Sequence, residues 1–307
     1  MIEWDIIGQQ LINGLTLGSI YGLIAIGYTM VYGILGMINF AHGDIYMIGA
    51  YLTAIALAAL GLPFTDLHPI TSTLIAFTMV LPLTGLYGFV VERIAYSSLR
   101  NSTRLAPLIS AIGVSIFLQN YVRLSQSARN QGVPILFEDE WKIGSALHFV
   151  QITPIQLAIL LITLGSMFAL TLLIQKTTLG RAMRATQQDR QMASILGVNT
   201  EAVIPLVFVI GGILAAIASV LVTLNYGSFN FFIGFIIGVK AFTAAVLGGI
   251  GSIPGAMLGG LLLGLAESLF AGFVSVEYKD VFAFSVLILI LMIKPSGLLG
   301  RPQVEKV

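Results

Sequence analysis

The ionisable residues that lie inside long apolar stretches are the side chains of this sequence most able to do chemistry. Lys240 and Glu267 are the two charged residues between positions 202 and 276. One charge near the centre of a bilayer costs at least about 2.5–3.5 kcal/mol, so such residues pair with one another or face a water-filled cavity. A structural ion pair, positions at helix ends, and contact with a transported substrate are all open to these two residues.

A second polar cluster interrupts the apolar N-terminal part of the chain. It consists of Asn39, His42 and Asp44, within the stretch Asn-Phe-Ala-His-Gly-Asp. Asn39 or Asp44 could cap a helix that begins after a break, because a short polar side chain accepts hydrogen bonds from the free N–H groups of the first turn. A broken helix beside a translocation pathway would use the same residues, so both interpretations stay open.

The sequence carries no motif for catalysis, metal binding or nucleotide binding. The histidines His42, His68 and His148 are far apart and lack metal-ligand spacing, and there is no cysteine. No Gly-x-x-x-x-Gly-Lys-Ser/Thr motif occurs. If ATP drives this protein, another chain must therefore hydrolyse it. We expect a protein that is not an enzyme and that holds no cofactor or metal of its own.

A basic segment, residues 176–201, is the markedly hydrophilic part of the second half of the sequence. Arg181 and Arg184 are three residues apart and share a helix face. An apolar stripe on the same helix can be formed by four residues, which are Met183, Met192, Ile195 and Leu196. The pattern predicts a short amphipathic helix between two spans, which rests on anionic lipid headgroups or fits a groove of a partner protein.

The ends of this predicted helix also follow from residue types. Gly197 followed by Val198 fits a helix that ends in a left-handed cap. Asn199 or Thr200 can then cap the next helix, with Glu201 in its first turn.

Composition predicts the elements that must hold these residues. The chain of 307 residues is 57% hydrophobic and 9% charged, whereas soluble domains carry about 25% charged residues, and the mean hydropathy is +0.96. We predict an all-α, polytopic transmembrane protein with a single domain over residues 1–307 and about nine spans, or eight to ten if one segment is re-entrant. The predicted spans are roughly 8–35, 38–62, 70–91, 105–122, 153–175, 204–226, 231–249, 255–275 and 281–294.

The distribution of basic residues predicts the orientation, because Lys and Arg are enriched in short cytoplasmic loops. With the N-terminus outside and the C-terminus inside, ten of the 15 Lys and Arg residues are cytoplasmic. These ten are Arg93, Arg100, Arg104, Lys176, Arg181, Arg184, Arg190, Lys294, Arg301 and Lys306. The basic segment then faces the cytoplasm, and the loop 123–152 faces outward. That loop is either a solvated cover over helix ends or a docking surface for an extracytoplasmic partner.

Two glycine-rich regions, Gly14–Tyr51 and Gly227–Glu267, interrupt the apolar pattern at one place in each half. Paired interruptions of this kind are typical of inverted repeats around a pathway at the membrane midplane. Close packing of helices through small residues would also explain them.

Several motifs resemble the LivH-type permeases of high-affinity branched-chain amino acid ABC importers, and the resemblance runs nearly from end to end. The motifs are Gly33–Gly43, Leu108–Gly113, Phe117–Tyr121, Gly180–Ala185, Lys240–Gly251 and Gly300–Pro302. The sequence departs from the family at Ser97-Ser98, where relatives commonly have Arg-Pro. That departure removes a cytoplasmic charge and weakens the case for this loop as a contact site.

The resemblance implies a multi-pass subunit of a heteromeric importer in the bacterial inner membrane, surrounded by lipid and without a nucleic-acid partner. Its partners would be a second, LivM-like permease, two ATP-binding subunits similar to LivG and LivF, and a periplasmic amino-acid-binding protein. ATP would be bound by those partners. Within the basic segment, Gly180–Gly197 would be the coupling helix that docks on an ATPase, and its coupling residues would be Gly180, Arg181, Arg184, Arg190 and Gly197. The polar and ionisable residues inside the apolar stretches are our candidates for the translocation pathway of such an importer, and these are Asn39, His42, Asp44, Lys240 and Glu267.

Two other functional classes remain as alternatives. An ion-coupled secondary amino acid transporter would work as a single polypeptide, but it needs titratable groups within the membrane, and few carboxylates are found there. A passive channel would not transport substrate against a gradient.

Overall fold

The computed structural model describes residues 4–61, 68–100, 102–103, 105–134, 136–137, 139–144 and 149–300. Some residues considered above lie outside the described ranges, and these are Arg104, His148, Arg301, Pro302 and Lys306.

Helices make up most of the described chain. The α-helices are α1 Trp4–Leu35, α2 His42–Gly61, α3 Pro69–Val91, α4 Leu105–Gln126, α5 Pro154–Lys176, α6 Thr178–Gln188, α7 Arg190–Ile195, α8 Thr200–Tyr226, α9 Ile233–Gly248, α10 Ile253–Phe273 and α11 Lys279–Ile293. After α3 the chain continues through a π-helical turn, Glu92–Tyr96, and a 3₁₀ turn, Ser97–Leu99.

In the described part of the chain, four short strands lie outside the helical bundle. They are β1 Gln131–Gly132, β2 Trp141–Gly144, β3 Phe149–Ile152 and β4 Ser228–Phe229. β2 and β3 form an antiparallel pair within the loop 123–152, while β1 pairs antiparallel with β4. The β1–β4 pairing ties this loop to the chain segment that joins α8 to α9.

Each of the nine predicted spans coincides largely with one helix. Seven helices in the described part of the chain are long and apolar enough to cross a membrane. The remaining two, α9 with 16 residues and α11 with 15 residues, fall short of the roughly 20 residues that a full crossing needs. The span predicted from residue 38 also begins later, because residues 36–41 are not helical and α2 begins at His42.

The helices of the N-terminal half and those of the C-terminal half make equivalent packing contacts. α1 packs along α10 through the faces of Gly14, Gly18 and Gly22, and α8 packs along α3 through Gly212 and neighbouring residues. α2 and α9 pack against each other, α2 packs against α8 and α9 packs against α1, while α4 packs on α2 and α11 packs on α9. Exchanging α1, α2, α3 and α4 with α8, α9, α10 and α11 therefore preserves the main contacts. This is the arrangement expected of two repeats joined through α5.

The two non-helical entrances to α2 and α9 share one local structure. Residues 36–43 and 227–234 both read Gly-x-x-Asn-Phe-x-x-Gly, and their first glycines have φ of 66° and 65°. In the first, the Asn39 side chain accepts a hydrogen bond from the N–H of Ala41 at 3.1 Å. In the second, Asn230 accepts one from the N–H of Phe232 at 3.0 Å.

The last glycines of the two motifs meet where α2 crosses α9. A β-carbon on Gly43 would collide with the carbonyl oxygen of Gly234, and a β-carbon on Gly234 would collide with the carbonyl oxygen of Gly43. The absence of side chains lets the two backbones touch at the centre of the bundle. Around this crossing α1, α2 and α8 are mostly buried, whereas α3, α4 and α5 expose much of their apolar surface, as helices that face lipid do.

Candidate functional site

A buried ion-pair cluster lies between α9, α10 and α11. The ammonium group of Lys240 is 2.6 Å from Oε1 of Glu267 and 2.6 Å from Oδ1 of Asp280. The hydroxyl of Tyr21 donates to the other oxygen of Glu267 at 3.0 Å. Lys240 and Glu267, which the sequence singled out separately, are thus direct partners. Lys240, Glu267, Asp280 and Tyr21 are called the charged cluster below.

Asp280 was not among the residues that sequence reasoning selected. It stands beside Lys279 at the start of α11, so it has the appearance of an interfacial charge at the end of a span. The structure places it against Lys240 because α11 packs on both α9 and α10.

The charged cluster lines a cavity of about 620 Å³. Side-chain amides surround it, and these are Gln10, Asn13, Gln156 and Asn225. The cavity lies at the end of the bundle where α1, α5 and α11 begin and where α8 and α10 end. The loop 123–152 lies at the same end, since Gln9 donates to the carbonyl of Gln151 at 3.1 Å and accepts from its N–H at 2.9 Å.

The group Asn39, His42 and Asp44 forms a separate buried cluster, and none of its members lines this cavity. Asn39 has the predicted capping role, since it accepts hydrogen bonds from the N–H of Ala41 at 3.1 Å and the hydroxyl of Tyr96 at 2.9 Å. Asp44 lies in the first turn of α2, and its buried carboxylate lies beside Ser115 and Gln119 of α4.

His42 fills a gap between α1 and α8. Its ring packs edge-on against Tyr28 with centroids 4.9 Å apart, and it lies against Gly27 and Gly211. Its Nε2 atom has no hydrogen-bond partner within the part of the chain that the structure describes. These contacts give His42 a packing role at the start of α2.

The basic segment folds as two short helices, so the prediction of a single amphipathic helix is wrong. Asp189 separates α6 from α7 with an extended backbone, φ −160° and ψ 109°. Its side chain accepts a hydrogen bond from the N–H of Met192 at 2.9 Å. Asp favours such caps over helix interiors because it bonds to neighbouring N–H groups, which explains the break.

The two faces of α6 differ strongly. Gly180, Met183 and Thr186 are buried, while Arg181 and Arg184 are exposed. The Arg184 guanidinium donates to the carbonyl oxygen of Ile174 at the end of α5. Met183 therefore packs into the protein and does not join the predicted apolar stripe.

On α7 and the residues after it, three large apolar side chains point outward. Met192, Ile195 and Leu196 are 53%, 78% and 77% exposed. The predicted ends are observed: Gly197 has φ of 90°, and Asn199 accepts a hydrogen bond from the N–H of Ala202 at 3.1 Å to cap α8.

A chain of ion pairs links the basic segment to two other helices. Arg190 pairs with Glu201 of α8 at 2.7 Å. Arg100, whose side chain is almost fully buried, pairs with both Glu201 and the buried Glu92 at the end of α3. Arg190 is therefore engaged within the chain. Arg181 has no ion-pair partner among the residues that the structure describes.

Comparison with known proteins shows what this chain is similar to. The family model described as branched-chain amino acid transport system permease component matches residues 10–291. The chain is 54% identical to the high-affinity branched-chain amino acid transport system permease protein LivH of Salmonella typhimurium, and the similarity covers 97% of both chains. It is also 54% identical to the corresponding protein BraD of Pseudomonas aeruginosa, again over 97% of both.

A more distant similarity connects the chain to a second kind of permease. The high-affinity branched-chain amino acid transport system permease protein LivM of Escherichia coli K12 is 27% identical, over 99% of this chain and 74% of LivM. The matched residues include the basic segment and the charged cluster.

Proposed function

This chain belongs to the family of branched-chain amino acid transport permeases, and we propose that it is one permease subunit of an ABC importer for leucine, isoleucine and valine. It is a multi-pass membrane protein. In this proposal it forms the translocation pathway with a second, LivM-like permease. Two cytoplasmic ATP-binding subunits and a periplasmic amino-acid-binding protein complete the importer. The chain itself is not catalytic and holds no cofactor, because ATP is bound by the partner subunits.

The observation that carries this proposal is the surface of the basic segment. It presents the cations of α6 beside the exposed apolar side chains Met192, Ile195 and Leu196. Apolar side chains surrounded by charge at one end of a membrane protein favour a protein groove as binding partner. We infer that an ATP-binding subunit occupies this surface.

The connections of the basic segment support a mechanical role. Towards α5 it is fixed by Thr177, whose hydroxyl accepts from the N–H of Gly180 at 3.0 Å, and by Arg184 on the Ile174 carbonyl. Towards α8 it is fixed by the pairing of Arg190 with Glu201. A displacement of α6 and α7 by the ATPase would therefore move the ends of α5 and α8 together. Alternating access follows if these helices then shift around the crossing of α2 and α9.

An ion-coupled secondary transporter is the second candidate. The observation that favours it is the carboxylate of Asp44, which is buried in the bundle and could bind a coupling ion. Transport that stops on addition of an ionophore and persists without the ATP-binding subunits would support this alternative.

Reversal of charge on α6 tests the docking of the ATPase. We expect Arg181→Glu combined with Arg184→Glu to abolish substrate-stimulated ATP hydrolysis in the reconstituted importer, because both exposed cations of α6 become anions at the docking surface and Arg184 also loses its hydrogen bond to the Ile174 carbonyl. The matched control is Arg93→Glu, which reverses another exposed cation outside the basic segment. Normal stimulated hydrolysis in the double variant, with all partner subunits present, would refute the docking surface.

A further inference from the structure

We propose that the cavity beside the charged cluster is a transient binding site for the ammonium and carboxylate groups of the transported amino acid. This inference rests on the proposed import of branched-chain amino acids and names the groups of this chain that contact the substrate. Asp280 is assigned to the substrate ammonium group and Lys240 to its carboxylate.

The composition of the charged cluster goes beyond what a structural ion pair needs. Glu267 alone neutralises Lys240, and Tyr21 satisfies the remaining oxygen of Glu267 at 3.0 Å. Asp280 adds a second carboxylate to the cavity wall and Lys279 adds a second cation, so the charged side chains that line the cavity sum to zero. A ligand with one cationic and one anionic group keeps this balance, and each of its groups can form a charge-assisted hydrogen bond with an opposite partner.

Exposure distinguishes the two carboxylates. The side chain of Glu267 is 2% exposed, whereas that of Asp280 is 41% exposed. A ligand can therefore reach Asp280 while Glu267 stays in place beneath Lys240.

A zwitterion is the ligand that this arrangement can accept without changing the net charge of the cavity. Its ammonium group replaces Lys240 on Asp280, and its carboxylate binds the ammonium group of Lys240, which keeps Glu267. The ion pair between Lys240 and Asp280 is thus replaced by two ion pairs with the ligand, and the ligand brings no net charge into the cavity. A ligand with only one of the two charges would add a net charge to the cavity beside the buried Lys240 and Glu267, which is unfavourable.

The rest of the cavity fits an amino acid with an apolar side chain. Its volume of about 620 Å³ lies within the range of small-molecule sites. Apolar side chains form much of the wall, and these include Leu17, Val222, Ile233, Ile237 and Val276. The amides around it supply donors and acceptors of ordinary strength, which suits a site that must release its ligand.

The test uses a thiol introduced into the cavity, because the chain contains no cysteine. Ala271→Cys places a thiol on the cavity wall, and its rate of modification in the complete reconstituted importer is followed by mass spectrometry. We expect L-leucine to slow the modification. The analogues 4-methylpentanoate, without the ammonium group, and 3-methylbutylamine, without the carboxylate, should give no protection at the same concentration.

The matched variants are Asp280→Asn and Glu277→Gln, each combined with A271C. Glu277 is an exposed carboxylate three residues from Asp280 that does not line the cavity. Loss of one charge-assisted hydrogen bond predicts an increase of about 10- to 100-fold in the leucine concentration that gives half-protection in D280N. No change is expected in E277Q.

Import of leucine by the importer with the unchanged chain is measured first, so that two failures are distinguished. If ATP-driven import is absent there, the proposed function fails. If import is normal but leucine gives no protection, if the single-charge analogues protect equally, or if D280N and E277Q behave alike, the binding site is overturned. The comparison of analogues needs no variant of Asp280, so it decides the matter even if D280N does not assemble with its partners.

Discussion

Gly180 lies where the start of α6 approaches the end of α5, and a β-carbon there would collide with the backbone of Ile174. Backbone cannot move aside as a flexible side chain can, and forced packing of this kind typically costs about 1–3 kcal/mol. We expect Gly180→Ala to displace α6 and to reduce substrate-stimulated ATP hydrolysis several-fold in the reconstituted importer.

The matched control for this substitution is Gly113→Ala, in the helix α4, where an added β-carbon meets no atom within 4 Å. Both changes replace a helical glycine by the same residue. Equal stimulated hydrolysis in the two variants would show that the close approach of α6 to α5 is not needed for coupling.

Some residues of the candidate site could be predicted from residue type alone. The cost of an isolated charge in the membrane pointed to a partner for Lys240, and the structure provides Glu267. The preference of Asn199 for helix starts and of Gly197 for helix ends also predicted the start of α8 and the end of the basic segment's helical part. Asp280 and Arg100 could not be found in this way, because both stand near predicted membrane edges, where a charge needs no partner. Only the packing of distant helices brings them to Lys240 and Glu92.

At the scale of elements, Arg100 joins the end of α3 to the start of α8. Removing one partner of a buried ion pair typically costs about 3–5 kcal/mol, because the other charge stays buried. Arg100→Ala leaves Glu92 in that state, so we expect a marked loss of thermal stability in detergent. Arg190→Ala removes a cation from a partly exposed pair, and such pairs contribute about 0–1 kcal/mol.

Thermal unfolding of the two variants, measured beside the unchanged protein, tests the role of Arg100. The combination of Arg100→Met with Glu92→Leu should recover much of the lost stability, because it removes both buried charges. Similar unfolding temperatures for R100A and R190A would contradict a structural role for this pair. The departure from the family at Ser97-Ser98 weakened the case for this loop as a contact site. Through Arg100, the loop instead stabilises the helical bundle.

The length of each element was easier to predict than its continuity. Uniform apolarity fixes the approximate position of a span, but the break at Asp189 and the late start of α2 depend on single capping residues. The repeated Gly-x-x-Asn-Phe-x-x-Gly motif at Gly36 and Gly227 could have been found by comparing the sequence with itself. It would have identified the two entrances to α2 and α9 as equivalent.

The bundle carries its two candidate functional surfaces at opposite ends. One is the docking surface on the basic segment, and the other is the mouth of the cavity beside the charged cluster. α6 packs near the end of α1, where Gln187 approaches Gly33, while the start of α1 meets β3 through Gln9 and Gln151. The docking surface and the mouth of the cavity are therefore separated by the length of a span. An importer needs this separation, since the substrate arrives at one face and the motor acts at the other.

The orientation of this bundle follows from its basic residues and is open to a direct test. The structure puts residues 92–100 and the basic segment at one end, and the loop 123–152 at the other. Since Lys and Arg favour the cytoplasmic side, we expect a thiol from Glu140→Cys to react with a membrane-impermeant maleimide in spheroplasts. A thiol from Gln188→Cys should react only after the membrane is permeabilised.

Both positions are exposed and the chain has no other cysteine, so a difference in labelling reports the side of the membrane. Labelling of Q188C alone in intact spheroplasts would place the basic segment outside the cell, where no ATPase could bind it, and would remove the basis for ATP-driven import.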